Sequence, residues 1–467
     1  MPRFRCYLYL GDRHDVCSVS VTKPCAITRG GELLPPNSSR WLEPMLAPLS
    51  PLDAYRFDLD RQHRRSEFGN ADTVWLLLAH CLGRISKVGD AVRDQLALQS
   101  ANALRDLAES APDGDAHEGA HINDLRMMIA GLSAIETRAG ADAVSRACRG
   151  FAARMAESGA LAVAYSVIGF ARTVAADASD RERGLLVADQ ARIARQLGEL
   201  DSADELYRTA SAIGERSTDA ELLSRASLGR GVIARVRGNY PRARAFFQHG
   251  LNLASSAHAT ELEFFAHQGL TIVTCVTGDS DASITHGWEA FRLAMGDRTR
   301  EAETLTNLAQ LCLEYGYPRA ALRGFVAALT RTDLLRIRLS ALGGAALAAG
   351  RLEERALLAR VRSDLEQTLE GSALPYENAQ SLYHLSAAYL ALGDDVTAER
   401  FRQDVQKIAT ARGYHELQHQ VERAELARAA RVAAQRELGH TSRGVVTTLE
   451  AFEPEAEALA FATTRAD

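Results

Sequence analysis

Two short stretches carry the residue types and spacing of a metal-dependent hydrolase: "HEGAH" at His117–His121 and "HELQH" at His415–His419. On a helix, histidines at i and i+4 share a face and can hold zinc, with the intervening glutamate as general base. Context weakens both. "HEGAH" follows the loop-like "APDGDA", contains a glycine, and is flanked by the polar Asp115 and Asn123. "HELQH" opens a helical stretch, but Glu437 and His440 downstream lack the setting of a third ligand. His14 with Cys6, Cys17 and Cys25 matches no common metal spacing. P-loop, GxGxxG, GxSxG and kinase signatures are absent. The reading is therefore of a non-enzyme with no catalytic residue, no metal and no cofactor. A HExxH zinc-dependent hydrolase is the alternative.

The 467 residues carry a formal charge of −6, with 46% hydrophobic and 24% charged residues. That is a globular balance, and it argues against a broad phosphate-binding surface. The only lysines are Lys23, Lys87 and Lys407, so nearly all the cation is arginine. The seven cysteines are scattered and form no CxxC. This is neither a disulfide framework nor a structural zinc pattern, and it fits a reduced compartment. The N-terminus lacks a signal peptide's apolar core, and no apolar run reaches the roughly 20 residues that span a bilayer. The expectation is a cytoplasmic protein that contacts neither membrane nor nucleic acid directly.

The elements that would position any site are helices. Residues 1–70 are proline-rich with two short strand-like runs, and weak order is expected there; Met45 offers an alternative start. Residues 71–140 are N-terminal helices of unclear register. Residues 141–438 form a regular array with a capping helix, and 439–467 are an acidic tail that could form a short helix.

The array is read from its turns. Gly159, Gly198, Gly238, Gly278, Gly316, Gly350 and Gly393 recur every 34 to 43 residues. Seven residues before each stands a small residue (Ala152, Ala191, Gly231, Thr271, Ala309, Gly343, Ser386), and an alanine follows at or near the fifth place. Glycine closes a helix in the left-handed conformation, and small residues on either side let two antiparallel helices approach. Ser179…Glu182, Thr218…Glu221 and Thr260…Glu263 read as capping boxes. "YPRA" occurs at Tyr240–Ala243 and Tyr317–Ala320, 77 residues apart. That is close to two periods, so it marks the turn of a repeat rather than a paired site, with proline in the first turn of the second helix.

The order large–small–x6–Gly–x4–Ala resembles the tetratricopeptide repeat, most clearly in "LYHLSAAYLALGDDVTAERF" (382–401), "LTNLAQLCLEYGYPRAALRGF" (305–325) and "LGRGVIARVRGNYPRARAFF" (228–247). The usual period of 34 is stretched here toward 40, as in the sensor region of maltose-regulator-type bacterial regulators. The resemblance implies an all-α, right-handed α-solenoid of antiparallel helix pairs whose concave face is lined by the first helix of each pair. It further implies a scaffold for a protein or peptide partner, an adaptor or sensor module in bacterial signalling or transcriptional regulation. By register, Arg192, Arg195, Arg235, Gln268 and Gln310, with Tyr383, fall on that face. Self-association into homodimers through the array's ends is a further expectation.

Overall fold

A computed structural model of the protein describes residues 137–433, apart from residues 175 and 371. The chain divides into two units, Met1–Arg40 and Trp41–Asp467, and every described residue belongs to the second. The expectations for residues 1–70 and 439–467, for most of 71–140, and for the His117–His121 pair fall outside the described residues.

Seven helix pairs and a closing helix follow one another. The pairs are α1 (Arg138–Glu157) with α2 (Leu161–Val174), α3 (Asp180–Gln196) with α4 (Leu200–Ser217), and α5 (Ala220–Val236) with α6 (Tyr240–Ser256). Then come α7 (Thr260–Val276) with α8 (Ser280–Ala294), α9 (Arg298–Glu314) with α10 (Pro318–Leu329), α11 (Leu335–Arg351) with α12 (Arg355–Leu369), and α13 (Pro375–Ala391) with α14 (Asp395–Arg412). The closing helix is α15 (His415–Ala433). There is no strand among the described residues. Each helix packs on the next, and each odd-numbered helix also packs on the following odd one. This is the predicted all-α solenoid of antiparallel pairs.

The turn chemistry explains the pairing. Gly159, Gly198, Gly238, Gly278, Gly316 and Gly393 all take positive φ at the turn between the two helices of a pair. Five residues on, Ala164, Ala203, Ala243, Ala321 and Ala398 are buried where the second helix crosses the first. Both YPRA tetrapeptides sit at helix starts, with proline in the first turn of α6 and α10. The space between pairs is filled by Phe151, Phe247, Phe325 and Phe401, each fully buried. Burying one such ring is worth about 2–3 kcal/mol.

Three local expectations need correction. Gly350 is not a turn residue. It lies inside α11, and the left-handed position of that turn is Glu353, at φ 60°. With Glu353 as the marker, the uneven spacings of 34 and 43 become 37 and 40. Thr218 does not cap α5 either: it is the left-handed residue ending α4, and Asp219 supplies the cap by accepting from the Leu222 amide. Thr260 is the first residue of α7, whose N-cap is Ala259. Ser179 alone of the three caps as predicted.

Gly350 has a different task. A Cβ there would meet the Ala388 Cα and carbonyl oxygen at 2.6 Å, both backbone atoms of α13. Gly343, two turns earlier, faces Ser381 in the same way, and the Ser381 hydroxyl donates to the Leu339 carbonyl at 2.9 Å. The two helices touch along this stripe of small residues. Gly350→Ala is expected to destabilise the protein by about 2 kcal/mol, because backbone must move to admit the methyl. Glu353→Gly is expected to stabilise it by up to about 1 kcal/mol, by relieving a left-handed non-glycine residue. Urea unfolding followed by helical circular dichroism measures both. Equal, small losses at the two positions would contradict this division of roles.

Candidate functional site

The inner faces of the odd-numbered helices bound one groove with a cavity volume of about 2240 Å³. All six residues predicted from register line it. Their situations differ.

Arg192 and Arg195 stand one turn apart on α3. The nearest carboxylate to Arg192 is Asp189, at 4.0 Å, and Asp189 is already held by Arg149 at 2.7 Å. The buried Nε of Arg195 has no acceptor. Tyr383, on α13, is half-buried, and burial pushes its phenol up to about 12. Gln310 donates to Glu314 at 3.0 Å on its own helix. Gln268 is 5% exposed. Its amide donates to Thr304 Oγ1 at 2.8 Å and accepts from Asn307, so it pins α7 to α9.

Arg235 is tied up internally. Its Nη1 donates to Glu416 Oε2 at 2.5 Å and to Tyr376 Oη at 2.9 Å. The Tyr376 hydroxyl also donates to Glu416 Oε2, at 2.5 Å. Glu416 is 1% exposed. Burial opposes the charge on Arg235, but Glu416 and Tyr376 outweigh it and hold the guanidinium protonated. These three residues come from α5, α13 and α15, so the end of the array is bonded to its third pair. Arg412 makes a second such link, donating to Glu199 at 2.9 Å.

The same contact accounts for "HELQH". The motif opens α15, with His415 and His419 exposed and Glu416 turned inward between them. The base of a zinc hydrolase needs an available carboxylate, and Glu416 gives its oxygen to Arg235 and Tyr376. Among the described residues no group of three or more His, Cys, Asp or Glu is arranged to hold a metal ion.

Several groove residues escape a register argument. Phe265 on α7 lines the groove at 37% exposure, an unusual setting for so large an apolar ring. Charged side chains link successive odd-numbered helices. Within the groove, Arg225 and Arg300 flank Glu261 at 3.6 Å each and Arg336 bonds Glu303 at 2.8 Å; outside its lining, Arg181 bonds Glu221. A sequence signal did exist, since Glu182, Glu221 and Glu261 recur at 39 and 40 residues. His384, beside Tyr383, also lines the groove at 4% exposure, and its Nδ1 has no partner. Burial, helped by the nearby Arg351, pulls its pKa down to about 4.

No protein-family model matches the chain, and no curated protein matches it. Among solved structures it is similar to the crystal structure of the P58(IPK) TPR domain, at 14% identity over 79% of this chain and 100% of that one, with a TM-score of 0.21. A superposition that loose assigns no function, and the fold rests on the helix order and contacts described above. Among the described residues, no helix is long and apolar enough to cross a membrane.

Two outcomes follow from this geometry. Glu416→Gln leaves the Arg235 charge buried and unpaired, and should cost about 3–5 kcal/mol in urea unfolding; replacing both partners by apolar residues should cost far less. His384 is harder to protonate folded than unfolded. Its contribution is therefore complete above about pH 6.5 and declines as pH falls toward 4. Between pH 7 and pH 5 the protein should lose about 2 kcal/mol more stability than His384→Gln does. His267 and His286, also held low by burial, titrate in both chains and cancel. Identical pH dependence in the two chains would refute the assignment.

Proposed function

We propose that the protein is a non-catalytic scaffold of the tetratricopeptide-like kind, which binds a protein or peptide segment in the groove on its odd-numbered helices. The observation that carries this reading is the groove's lining. It presents the exposed ring of Phe265 and the half-buried Tyr383 together with arginines, Arg192 and Arg195, that have no carboxylate within hydrogen-bond reach. Aromatic and arginine side chains are the residue types that concentrate binding energy at protein interfaces. A helix-pair array of this kind offers an extended inner surface without needing any catalytic group. Arg192, Arg195 and Tyr383 are the residues assigned to contact the partner. Arg235 and Gln268 shape the wall, and Gln310 lies on the rim beside Glu314. On this reading the protein is an adaptor or sensor in signalling or transcriptional control, acting by holding a partner rather than by turning over a substrate.

The test is affinity capture from native extract with the full chain and with the Arg192→Glu, Arg195→Glu double variant. Partners should be lost at least about tenfold in the variant, since two guanidinium contacts are reversed in sign. Helical circular dichroism should be unchanged. Recovery of the same partners in the same amounts by both chains would place the binding surface elsewhere.

A further inference from the structure

The groove has a complementary sequence within its own chain. We infer that residues 449–461, "LEAFEPEAEALAF", dock into the groove in cis and compete with partners for it. This rests on the groove being the binding surface.

Charge is the first argument. Thirteen arginines line the groove against ten carboxylates, and five of those arginines, Arg192, Arg195, Arg298, Arg351 and Arg423, have no carboxylate within hydrogen-bond reach. Residues 444–464 contain four glutamates (Glu450, Glu453, Glu455, Glu457) and no lysine or arginine. Carboxylate and guanidinium form the strongest class of side-chain hydrogen bond.

Apolar pattern is the second. Phe265 and Tyr383 project into the groove, and the segment alternates its glutamates with Leu449, Phe452, Leu459 and Phe461. Two other stretches are as acidic: "ELDSADELY" at 199–207 is built into the array itself, and "ESAPDGDAHEGAH" at 109–121 has four carboxylates but no large apolar residue to anchor it. That difference singles out 449–461.

The tether is the third. The first half of α15 lines the groove as far as Arg423 and Ala424. Fifteen residues separate the end of α15 at Ala433 from Leu449, and such a length reaches up to roughly 50 Å. A tether of that length sets an effective concentration on the order of millimolar, so a weak intrinsic affinity suffices for occupancy. A partner then binds only by displacing the segment, and its apparent affinity is reduced by the fraction of open groove.

The experiment places a photo-reactive benzoylphenylalanine at Phe452 in the full chain and maps the cross-links by mass spectrometry, on a mixture of isotopically heavy and light protein. The expected products lie within one chain and join residue 452 to the peptides carrying Arg192, Phe265 or Tyr383. Their yield should fall about tenfold in Arg192→Glu, Arg195→Glu, and again in 0.5 M salt, as screening predicts. Cross-links between heavy and light chains would replace the cis contact by one between copies. Products that map outside the groove, or none at all, would overturn the inference. Hydrogen exchange without the probe provides a second reading. Reversing Glu450, Glu453, Glu455 and Glu457 to Lys should expose groove amides on α3, α7 and α13, and unchanged exchange would again overturn it. If partner capture depends on Arg192 and Arg195 while residue 452 gives no groove cross-link, the cis segment fails and the binding surface stands.

Discussion

One carboxylate oxygen, Oε2 of Glu416, decides the form of the groove. It accepts from Arg235 and from Tyr376, residues 181 and 40 positions away in the chain. A helix-pair array has contacts only between neighbours, so its curvature is otherwise the sum of many small and independent angles. A bond between the closing helix and the third pair removes that freedom. The apolar packing agrees with it. One continuous core runs through α1–α5 and α11–α15, and it takes in Leu197 and Leu200 together with Leu374, Tyr414 and Leu417. A buried charged pair adds little net stability over an apolar substitute. What it adds here is register, because few other placements of α15 would satisfy a guanidinium, a phenol and a carboxylate together.

The spacing between helices is set by a second constraint, the supply of small residues. Where α11 meets α13, glycine and serine let backbones touch, and the two odd-numbered helices pack more closely than α12 does on α13. Elsewhere an aromatic ring covers the space left by a glycine: Phe247 lies against Gly231 and Gly269, Phe325 against Gly344. Each of these glycines is thus matched to a ring or a backbone on the neighbouring helix. The groove inherits its width from these pairings.

This explains which parts were legible in the sequence. The pair turns were, because a left-handed residue closing a helix favours glycine and six of the seven turns use it. The seventh uses Glu353, and a nearby glycine with another purpose, Gly350, took its place in the alignment. The caps at Thr218 and Thr260 were misplaced by one residue for a related reason: a side-chain oxygen on either side of a helix start gives the same pattern. The inner face was legible from register alone, and all six chosen residues lie on it. Their availability was not. Periodicity tells which way a side chain points but not what reaches it from elsewhere, so the engagement of Arg235 by a helix 181 residues later has no local trace. Nor does the burial of Gln268 between α7 and α9.

Availability is what separates scaffold from binding surface on the inner face. Arg225, Arg300 and Arg336 line the groove, yet each meets a glutamate of an adjoining odd-numbered helix. Such half-exposed pairs contribute at most about 1 kcal/mol apiece, but as a series they resist sliding of one repeat past the next. On α3 the series continues through Arg181 and Arg149 but leaves two arginines over. Asp189 is taken by Arg149, which leaves Arg192 at the edge of contact and the Arg195 Nε without an acceptor. A cation with an unmet hydrogen-bond donor facing a cavity loses hydration without gaining a partner, and an incoming carboxylate repairs both deficits at once. On the proposed scaffold reading, recognition begins at α3, and Phe265 and Tyr383, which line the same groove, supply apolar contacts.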